Sequence, residues 1–211
     1  MSTEAGFRRQ AGTVVDWEWG IPRVILMSTP FTGRILDYCR KNAVELQDIT
    51  VFYLEMMADP RRSVPAPVDG LVVLHAERPP LPYYRFLYNT VGEDYHWHSR
   101  RILNDSELAV IIHNPRTEVH VVHLAGSPVG FAELNRGQVD EVELVQFGLI
   151  SDFIGQGLGT WFLNRIIDTV WSYKPKRFWL HTCTLDHPSA VHTYKKAGFV
   201  QYKEEDIRRP Y

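Results

Sequence analysis

The sequence has few cysteines, little net charge and no long apolar run. Only two of its 211 residues are cysteines, Cys39 and Cys183, so no disulfide framework is expected and a reducing cytoplasm is the expected location. The formal net charge of −2 disfavours a nucleic-acid partner held mainly through its phosphates. No apolar stretch approaches the length of a membrane-spanning helix, and the first ten residues lack a secretory pattern. These shortages favour a cytoplasmic protein with no nucleic-acid and no membrane partner.

The chain is long enough for one large hydrophobic core or two small ones. Residues 49–211 alternate between strand and helix patterns, and they are expected to form one mixed α/β domain. Residues 1–48 are expected to form an N-terminal extension, in which 32–46 follow a helical pattern. This extension would pack either on its own domain or on a second subunit of a homodimer, and the sequence does not distinguish the two.

The predicted elements of the domain follow from hydrophobic periodicity and from turn residues. Strands are predicted over 49–57, 71–75, 117–124, 128–135, 139–150 and 177–183, and helices over 82–91, 104–112 and from 158 onward. Short turns at 125–127 and 136–137 join three of these strands into an antiparallel meander.

A buried strand, a glycine turn and the start of a helix follow one another between Val142 and Phe162. Gly155, Gly157 and Gly159 carry no Cβ, so an anion can approach the backbone closely. The first amides of a helix have no internal acceptor, and the helix dipole makes that end positive. This stretch therefore predicts a phosphate-binding turn.

Other phosphate-binding patterns fit this turn less well. A P-loop requires Lys followed by Ser or Thr after its last glycine, whereas Trp161 follows Thr160 here. The dinucleotide fingerprint requires a sixth-position glycine, where this chain has Thr160. On these residues alone, an acyl-coenzyme A pyrophosphate loop and an ordinary glycine-rich turn both remain open.

The segment from Asp186 to Phe199 carries a second pattern. Ala190, Tyr194, Gly198 and Phe199 match the spacing Ala-x-x-x-Tyr-x-x-x-Gly-Phe. Together with the Gly-x-Gly turn upstream, this pattern resembles the GNAT N-acetyltransferase family over residues 117–199. His187 stands where the family has Asn, and Ile154 where it has Gln or Arg. The resemblance implies the GNAT acyl-CoA N-acyltransferase fold, with a central mixed, mostly antiparallel sheet flanked by helices.

The resemblance also implies acetyl-CoA as cosubstrate and assigns residues to it. The pyrophosphate would lie at the turn, and the pantetheine arm would follow the end of the 139–150 strand in a gap where that strand splays from 178–183. The residues assigned to the cosubstrate on this basis are Phe147, Leu149, Ile154, Gly155, Gln156, Gly157, Leu158, Gly159, Thr160, His187 and Ala190.

Acetyl transfer to an amine needs a base for the amine and a proton for the departing thiolate. The phenol of Tyr194 is expected to hydrogen-bond the thioester sulfur and to supply that proton, since a tyrosine is protonated at neutral pH. Glu143 occupies the position at which the histone-acetylating branch of the family carries its base, and it is expected to share a strand face with Phe147. Glu141, on the same face, is an alternative base.

The acceptor site is expected at the aromatic segment Tyr95, His96 and Trp97, which would wall a pocket for an apolar or cationic group. Cys183 with His181 would suit an acyl-cysteine intermediate, although direct attack in a ternary complex needs no nucleophile. The histidine pairs lack the companions of a known zinc pattern, so no metal is expected.

The sequence thus predicts an N-acetyltransferase acting on a small-molecule or peptide amine. The alternatives are a non-catalytic acyl-CoA-binding module, transfer of a longer acyl group, and a dinucleotide-binding oxidoreductase, which the missing sixth glycine disfavours.

Overall fold

A computed structural model describes residues 17–18, 21–22, 46–95 and 97–210. The strands are β1 (Trp17–Glu18), β2 (Ile21–Pro22), β3 (Leu46–Met56), β4 (Leu71–His75), β5 (Thr117–Leu124), β6 (Ser127–Asn135), β7 (Glu141–Leu149), β8 (Arg177–Cys183) and β9 (Val200–Pro210). The α-helices are α1 (Leu81–Val91), α2 (Asp105–Ile112), α3 (Leu158–Ser172) and α4 (Ala190–Ala197), and a 3₁₀ turn spans Ser151–Phe153.

These elements confirm the mixed α/β class and nearly every predicted boundary. Strand β3 begins at Leu46, three residues before the predicted 49–57 strand and inside the predicted N-terminal extension. The helix expected over 32–46 lies outside the described residues, apart from Leu46 itself.

The main sheet has seven strands in the order β4-β5-β6-β7-β8-β3-β9. Strands β5, β6 and β7 form the predicted antiparallel meander. Strands β7 and β8 run parallel, and all the remaining neighbouring pairs of this sheet are antiparallel. The expected mixed, mostly antiparallel sheet is confirmed.

Helix α2 begins where the sequence signals it. Asn104 caps the helix by accepting a hydrogen bond from the amide of Glu107, and the Glu107 carboxylate accepts from the amide of Asn104. This reciprocal capping box satisfies two amides that the helix itself leaves without acceptors. Helix α1 starts directly after Pro80, and Pro82 occupies its first turn, where a missing N–H removes no helical hydrogen bond.

The sheet separates two hydrophobic cores. On one face, the apolar stripe of α3, which includes Phe162 and Ile166, packs with α4 against the middle strands. On the other face, α1 and α2 pack against β5 and β6. No helix among the described residues is long and apolar enough to cross a membrane.

Candidate active site

The parallel strands β7 and β8 pair only over their first halves. The register runs from Glu141 opposite Arg177 to Leu144 opposite Leu180, and no β7–β8 pair follows in the described strands. A cavity of about 640 Å³ lies where the two strands separate, lined by the second half of β7 and by the end of β8. It reaches the glycine turn before α3 and the aromatic segment after α1. The predicted splay of these two strands is present.

An extra residue in β7 decides which side chains face the helices. The β6–β7 register shifts next to Val145, so Val145 forms a bulge. Beyond the bulge, Phe147 stacks on Phe162 of α3 with ring centroids 5.2 Å apart, on the same side of the sheet as Leu144. Side chains alternate along a strand, so Glu143 points to the opposite face. The expectation that Glu143 shares a face with Phe147 is therefore wrong, because a bulge reverses the alternation.

The glycine turn leaves a helix end with unused amides. Gly155 and Gly157 have φ values of 81° and 80°, a left-handed conformation that glycine adopts without strain. Gly157 is the N-cap of α3, and no side chain caps the helix. Among the described residues, none of the amides from Leu158 to Thr160 donates to another backbone group outside the helix. These amides and the helix dipole form a site suited to an anion.

Most of the residues expected to contact the cosubstrate line this cavity. They are Phe147, Leu149, Ile154, Gly155, Gly157, Gly159, Thr160, His187 and Ala190. Gln156 and Leu158 are not among the described residues that line it: the Gln156 side-chain amide donates to the carbonyl of Asp152, and the Leu158 side chain is buried in the core. Any role for these two residues would fall to their backbone.

Tyr194, on α4, lines the cavity from the side of the helices. Its ring is 9 % exposed and lies between the rings of Phe147 and Phe199, with centroids 6.2 Å and 6.0 Å away. Burial, helped by the charge of Asp186, raises the pKa of the Tyr194 phenol. The hydroxyl is therefore protonated at any physiological pH.

Glu143 is buried but is not among the described residues that line the cavity. Burial raises the pKa of its carboxyl to about 7, an effect opposed by a hydrogen bond from the Asn135 side chain and by the charge of Arg100 and reinforced by Glu133. One oxygen, Oε2, is buried without a hydrogen-bond partner. The carboxyl is thus poised to gain or lose a proton near neutral pH.

His181 connects Glu143 to the cavity. Its Nδ1 lies 3.8 Å from Glu143 Oε1, and the imidazole itself lines the cavity. The alternative base, Glu141, instead pairs with Arg177 at 3.2 Å and is likewise outside the described cavity lining. Of the two carboxylates considered from the sequence, only Glu143 has a side chain in contact with a cavity-lining group that can carry a proton.

An aromatic wall closes the end of the cavity near α1. Tyr95 and Trp97 both line it, and the Trp97 ring packs against Tyr88 with centroids 5.4 Å apart. A Cβ on Gly92 would lie 2.5 Å from Trp97 Cβ, so glycine at this position lets the indole pack against the end of α1. His96, predicted with these two aromatics, lies outside the described residues.

Asp186 lines the cavity and was not predicted from the sequence. It lies in the loop between β8 and α4, directly before His187, and its Oδ2 accepts hydrogen bonds from Thr182 Oγ1 at 2.6 Å and from the amide of Cys183 at 3.0 Å. A lone carboxylate in a loop has no sequence pattern, although its position just after a strand that borders the gap was a usable signal.

Within the described ranges, no three His, Cys, Asp or Glu side chains are grouped so as to hold a metal ion. His120, one of the closely spaced histidines, is instead buried and lies 3.0 Å from Glu118. Cys183 lines the cavity, and so does His181 two residues before it.

Solved structures with the same fold include three acetyltransferases. The chain matches a GCN5-related N-acetyltransferase from Sphaerobacter thermophilus (TM-score 0.58, 14% identity, 87% of this chain and 57% of that one). It also matches one from Kribbella flavida (TM-score 0.53, 14% identity, 83% and 63%). The third is an aminoglycoside acetyltransferase from an uncultured soil metagenomic sample (TM-score 0.52, 12% identity, 62% and 88%). The chain spans less than two thirds of the length of the first two.

No curated protein matches the chain. At these low identities the solved structures establish the fold alone, and the family rests on a separate finding: the model of the acetyltransferase (GNAT) family matches residues 80–199, which hold both the glycine turn and the Tyr194 segment. With more than half of its length matched in this way, the chain belongs to the GNAT acetyltransferase family, whose members transfer acyl groups from acyl-coenzyme A.

Proposed function

We propose that the protein transfers an acetyl group from acetyl-CoA to a primary amine of a small molecule or peptide by direct attack in a ternary complex. One observation carries this proposal: a single cavity connects the amide-rich start of α3 with the phenol of Tyr194 and with the aromatic wall at Tyr95 and Trp97. It brings an anion site, a proton donor and a concave acceptor pocket into one space.

The residues present fit an acyl-CoA donor. The amides at Leu158, Gly159 and Thr160 suit its pyrophosphate, and the space beside Gly155 is open, since a Cβ there would meet nothing within 4 Å. Along β7, the backbone edge after Leu144 has no pairing to β8 among the described strands, so its polar groups are available to the amides of a pantetheine arm. The bound donor would supply the activated acyl group.

Tyr194 is the proposed acid. Its pKa is raised above the ordinary value of about 10, whereas a thiol has a pKa of about 8.5. The phenol therefore stabilises the developing thiolate as a hydrogen-bond donor, because complete transfer of its proton to a sulfur of lower pKa would be uphill. Coenzyme A leaves as the thiolate, and the proton released by the amine is taken up at His181. A buried hydroxyl on a residue that lines the cavity is suited to this role.

Glu143 is the proposed base, acting through His181. The carboxyl cannot reach an acceptor in the cavity directly, because it is not part of the described lining. When His181 takes a proton from the amine, its imidazole becomes positively charged. The carboxylate of Glu143, whose Oε1 lies 3.8 Å from His181 Nδ1, would stabilise that charge. In this arrangement Glu143 holds the charge and His181 touches the acceptor.

The test is an acetyl-CoA consumption assay over a panel of amines, with Tyr194→Phe as the diagnostic variant. Loss of the hydroxyl is expected to lower kcat by about 10- to 1,000-fold with the affinity for acetyl-CoA unchanged. Tyr202→Phe, at a half-exposed position on β9, is the matched control and is expected to retain full activity. An unchanged kcat in Tyr194→Phe would remove this residue from the mechanism.

Two other outcomes of the same assay would redirect the proposal. Binding of acetyl-CoA without turnover on any amine would favour a non-catalytic acyl-CoA-binding module. Faster turnover with a longer acyl donor than with acetyl-CoA would favour transfer of a larger acyl group.

A further inference from the structure

The cavity has an uneven distribution of charge. Among the described residues that line it, Asp186 is the only carboxylate, and none is lysine or arginine. Three lining histidines, His98, His181 and His187, are the remaining ionisable bases. A partly enclosed space with one fixed negative charge favours a cation, because interactions between charges strengthen as water is excluded.

We infer that Asp186 selects a cationic acceptor, whose ammonium group is held between this carboxylate and the rings of Tyr95 and Trp97. This inference rests on the proposed function, and it adds the acceptor class and a specificity-determining residue.

The carboxylate of Asp186 is positioned by the protein. Its Oδ2 is held by the hydroxyl of Thr182 and the amide of Cys183, at 2.6 Å and 3.0 Å. Its Oδ1 lies 3.4 Å from Trp97 Nε1, a long contact that leaves this oxygen with capacity to accept a stronger donor. One oxygen is thus anchored, and the other faces the aromatic wall.

The aromatic wall complements this carboxylate. Trp97 and Tyr95 line the same cavity as Asp186, and the indole presents its N–H edge to that carboxylate. A cation that enters this space would be attracted by the electron density of an aromatic face as well as by the carboxylate. The Tyr95 and His187 rings form a T-shaped pair with centroids 6.1 Å apart, so the wall continues to the residue after Asp186. A carboxylate flanked by tryptophan and tyrosine is a chemically suitable receptor for an alkylammonium ion.

Asp186 shares one cavity with both the acceptor wall and the proposed acid. Burial raises the pKa of both the Tyr95 and the Tyr194 phenols, and the negative charge of Asp186 adds to this rise in each, after that of Asp94 in the case of Tyr95. An ammonium ion bound at Asp186 would occupy the cavity that Tyr194 and His181 also line. It would lose a proton to His181, the proposed proton acceptor, before the free amine attacks the thioester.

The test compares Asp186→Asn with wild type on two small amines of similar size, benzylamine, which is a cation at pH 7.5, and aniline, which is neutral. We expect the variant to lose about 10- to 100-fold in kcat/KM for benzylamine, mainly through KM, and less than about 3-fold for aniline. Asn retains an oxygen for the amide of Cys183, so the loop is expected to keep its shape. Asp69→Asn, on an exposed loop, is the control for charge removal.

A second variant keeps the carboxylate but removes its anchor. Thr182→Val is nearly isosteric at a buried position, and it is expected to weaken the preference for benzylamine less than Asp186→Asn does. Equal losses on both amines in Asp186→Asn would overturn the inference, since they would indicate a general effect on the loop or on Tyr194.

Calorimetric binding of benzylamine and aniline to the full chain in the presence of coenzyme A separates this inference from the proposed function. Preferential binding of benzylamine that is lost in Asp186→Asn supports the cation site even if the wild-type protein turns over no amine. Equal binding of the two amines by the wild-type protein, or binding of neither, would overturn it.

Discussion

The carboxyl of Glu143 is held near its midpoint of titration at neutral pH. Burial raises its pKa to about 7, and the nearby groups that face it are Asn135, Glu133, Arg100 and, at 3.8 Å, His181. A carboxyl at its ordinary pKa would be ionised throughout the physiological range, so the local environment gives Glu143 a proton affinity matched to the working pH.

The proposed role of Glu143 predicts a pH–rate profile. The base must be ionised to take up charge, so kcat/KM is expected to rise with pH and to level off above a pH of about 7. Glu143→Gln is expected to lower the plateau and to remove this inflection, because its amide cannot titrate. Initial rates across pH 5.5 to about 9, at saturating acetyl-CoA, measure both effects.

Coupling between Glu143 and His181 is tested by a double-mutant cycle. Two residues that act as one unit give non-additive losses, so His181→Asn combined with Glu143→Gln is expected to be little worse than either change alone. Fully additive losses would mean that the two side chains act independently, and the relay through His181 would then be abandoned.

The sequence patterns predicted some residues of the candidate site and missed others. Tyr194 could be predicted from the sequence because its spacing from Ala190 and Gly198 forms a long pattern. Asp186 had no such pattern, because its proposed role depends on the fold: Thr182, Cys183 and Trp97 contact it only once β8, the loop after it and the segment after α1 are assembled.

Helix α3 has a glycine, Gly159, that its own stability does not require. Gly159 lies within the first turn of α3. Unlike Gly155 and Gly157, it does not have a left-handed backbone conformation, so the backbone does not require glycine there. A Cβ at this position would lie 3.6 Å from Leu149 Cδ1, an ordinary contact. Glycine in a helix is nevertheless less stable than alanine by up to about 1 kcal/mol.

Gly159→Ala is therefore expected to separate stability from function. The unfolding midpoint should stay the same or rise, because alanine favours the helix and meets no clash. The affinity for acetyl-CoA should fall about tenfold or more, because Gly159 lines the cavity and an added methyl group would occupy space proposed for the donor. Thermal unfolding and calorimetric titration with acetyl-CoA measure the two effects.

The control for this change is Gly126→Ala, in the turn between β5 and β6. Gly126 has a φ of 86°, so alanine is strained there, although its Cβ would meet nothing within 4 Å. Stability is expected to fall by about 1 kcal/mol with no change in acetyl-CoA affinity. Weaker folding and intact donor binding in Gly159→Ala would contradict the proposed function of this turn.

The sequence predicted the bounds of helices and strands better than it predicted the register between paired strands. Hydrophobic period and capping residues gave β5, β6, α2 and β8 within about a residue, since these signals are local. The bulge at Val145 has no local signal, because it depends on pairing with β6, and it moved Glu143 to the face opposite Phe147. Strict alternation of side chains between the two faces of a strand predicts the wrong face for every residue beyond a bulge.

Across the molecule, two buried carboxyls respond to pH in opposite directions. Glu118 lies on β5, two strands from Glu143, where burial opposes its ionisation but hydrogen bonds from His120, Arg136 and Tyr173 lower its pKa to about 2. Glu143 lies beside the split, where burial raises its pKa to about 7. Both side chains are less than a tenth exposed.

The two carboxyls predict different pH ranges of instability. Glu118 has a folded pKa below the ordinary value of 4.5, so its stabilisation is present above that pH and is lost as the pH falls toward about 2. Glu143 has a pKa above 4.5 in the folded state. Its contribution to the free energy of unfolding is therefore fully present below pH 4.5 and is lost as the pH rises through about 7. The free energy of unfolding should therefore decline as the pH falls below 4.5 and also as it rises above 4.5.

Urea unfolding between pH 3 and about 8.5 tests both contributions. Glu143→Gln is expected to be more stable than wild type at pH 8, by on the order of 3 kcal/mol, and to lose the decline between pH 4.5 and 7. Glu118→Gln is expected to be less stable at pH 7 and to lose the decline on the acid side. Curves that stay parallel to wild type would contradict these assignments. A Glu143→Gln protein that is more stable and less active would mean that this carboxyl is kept at a cost to folding, as expected of a group retained for chemistry.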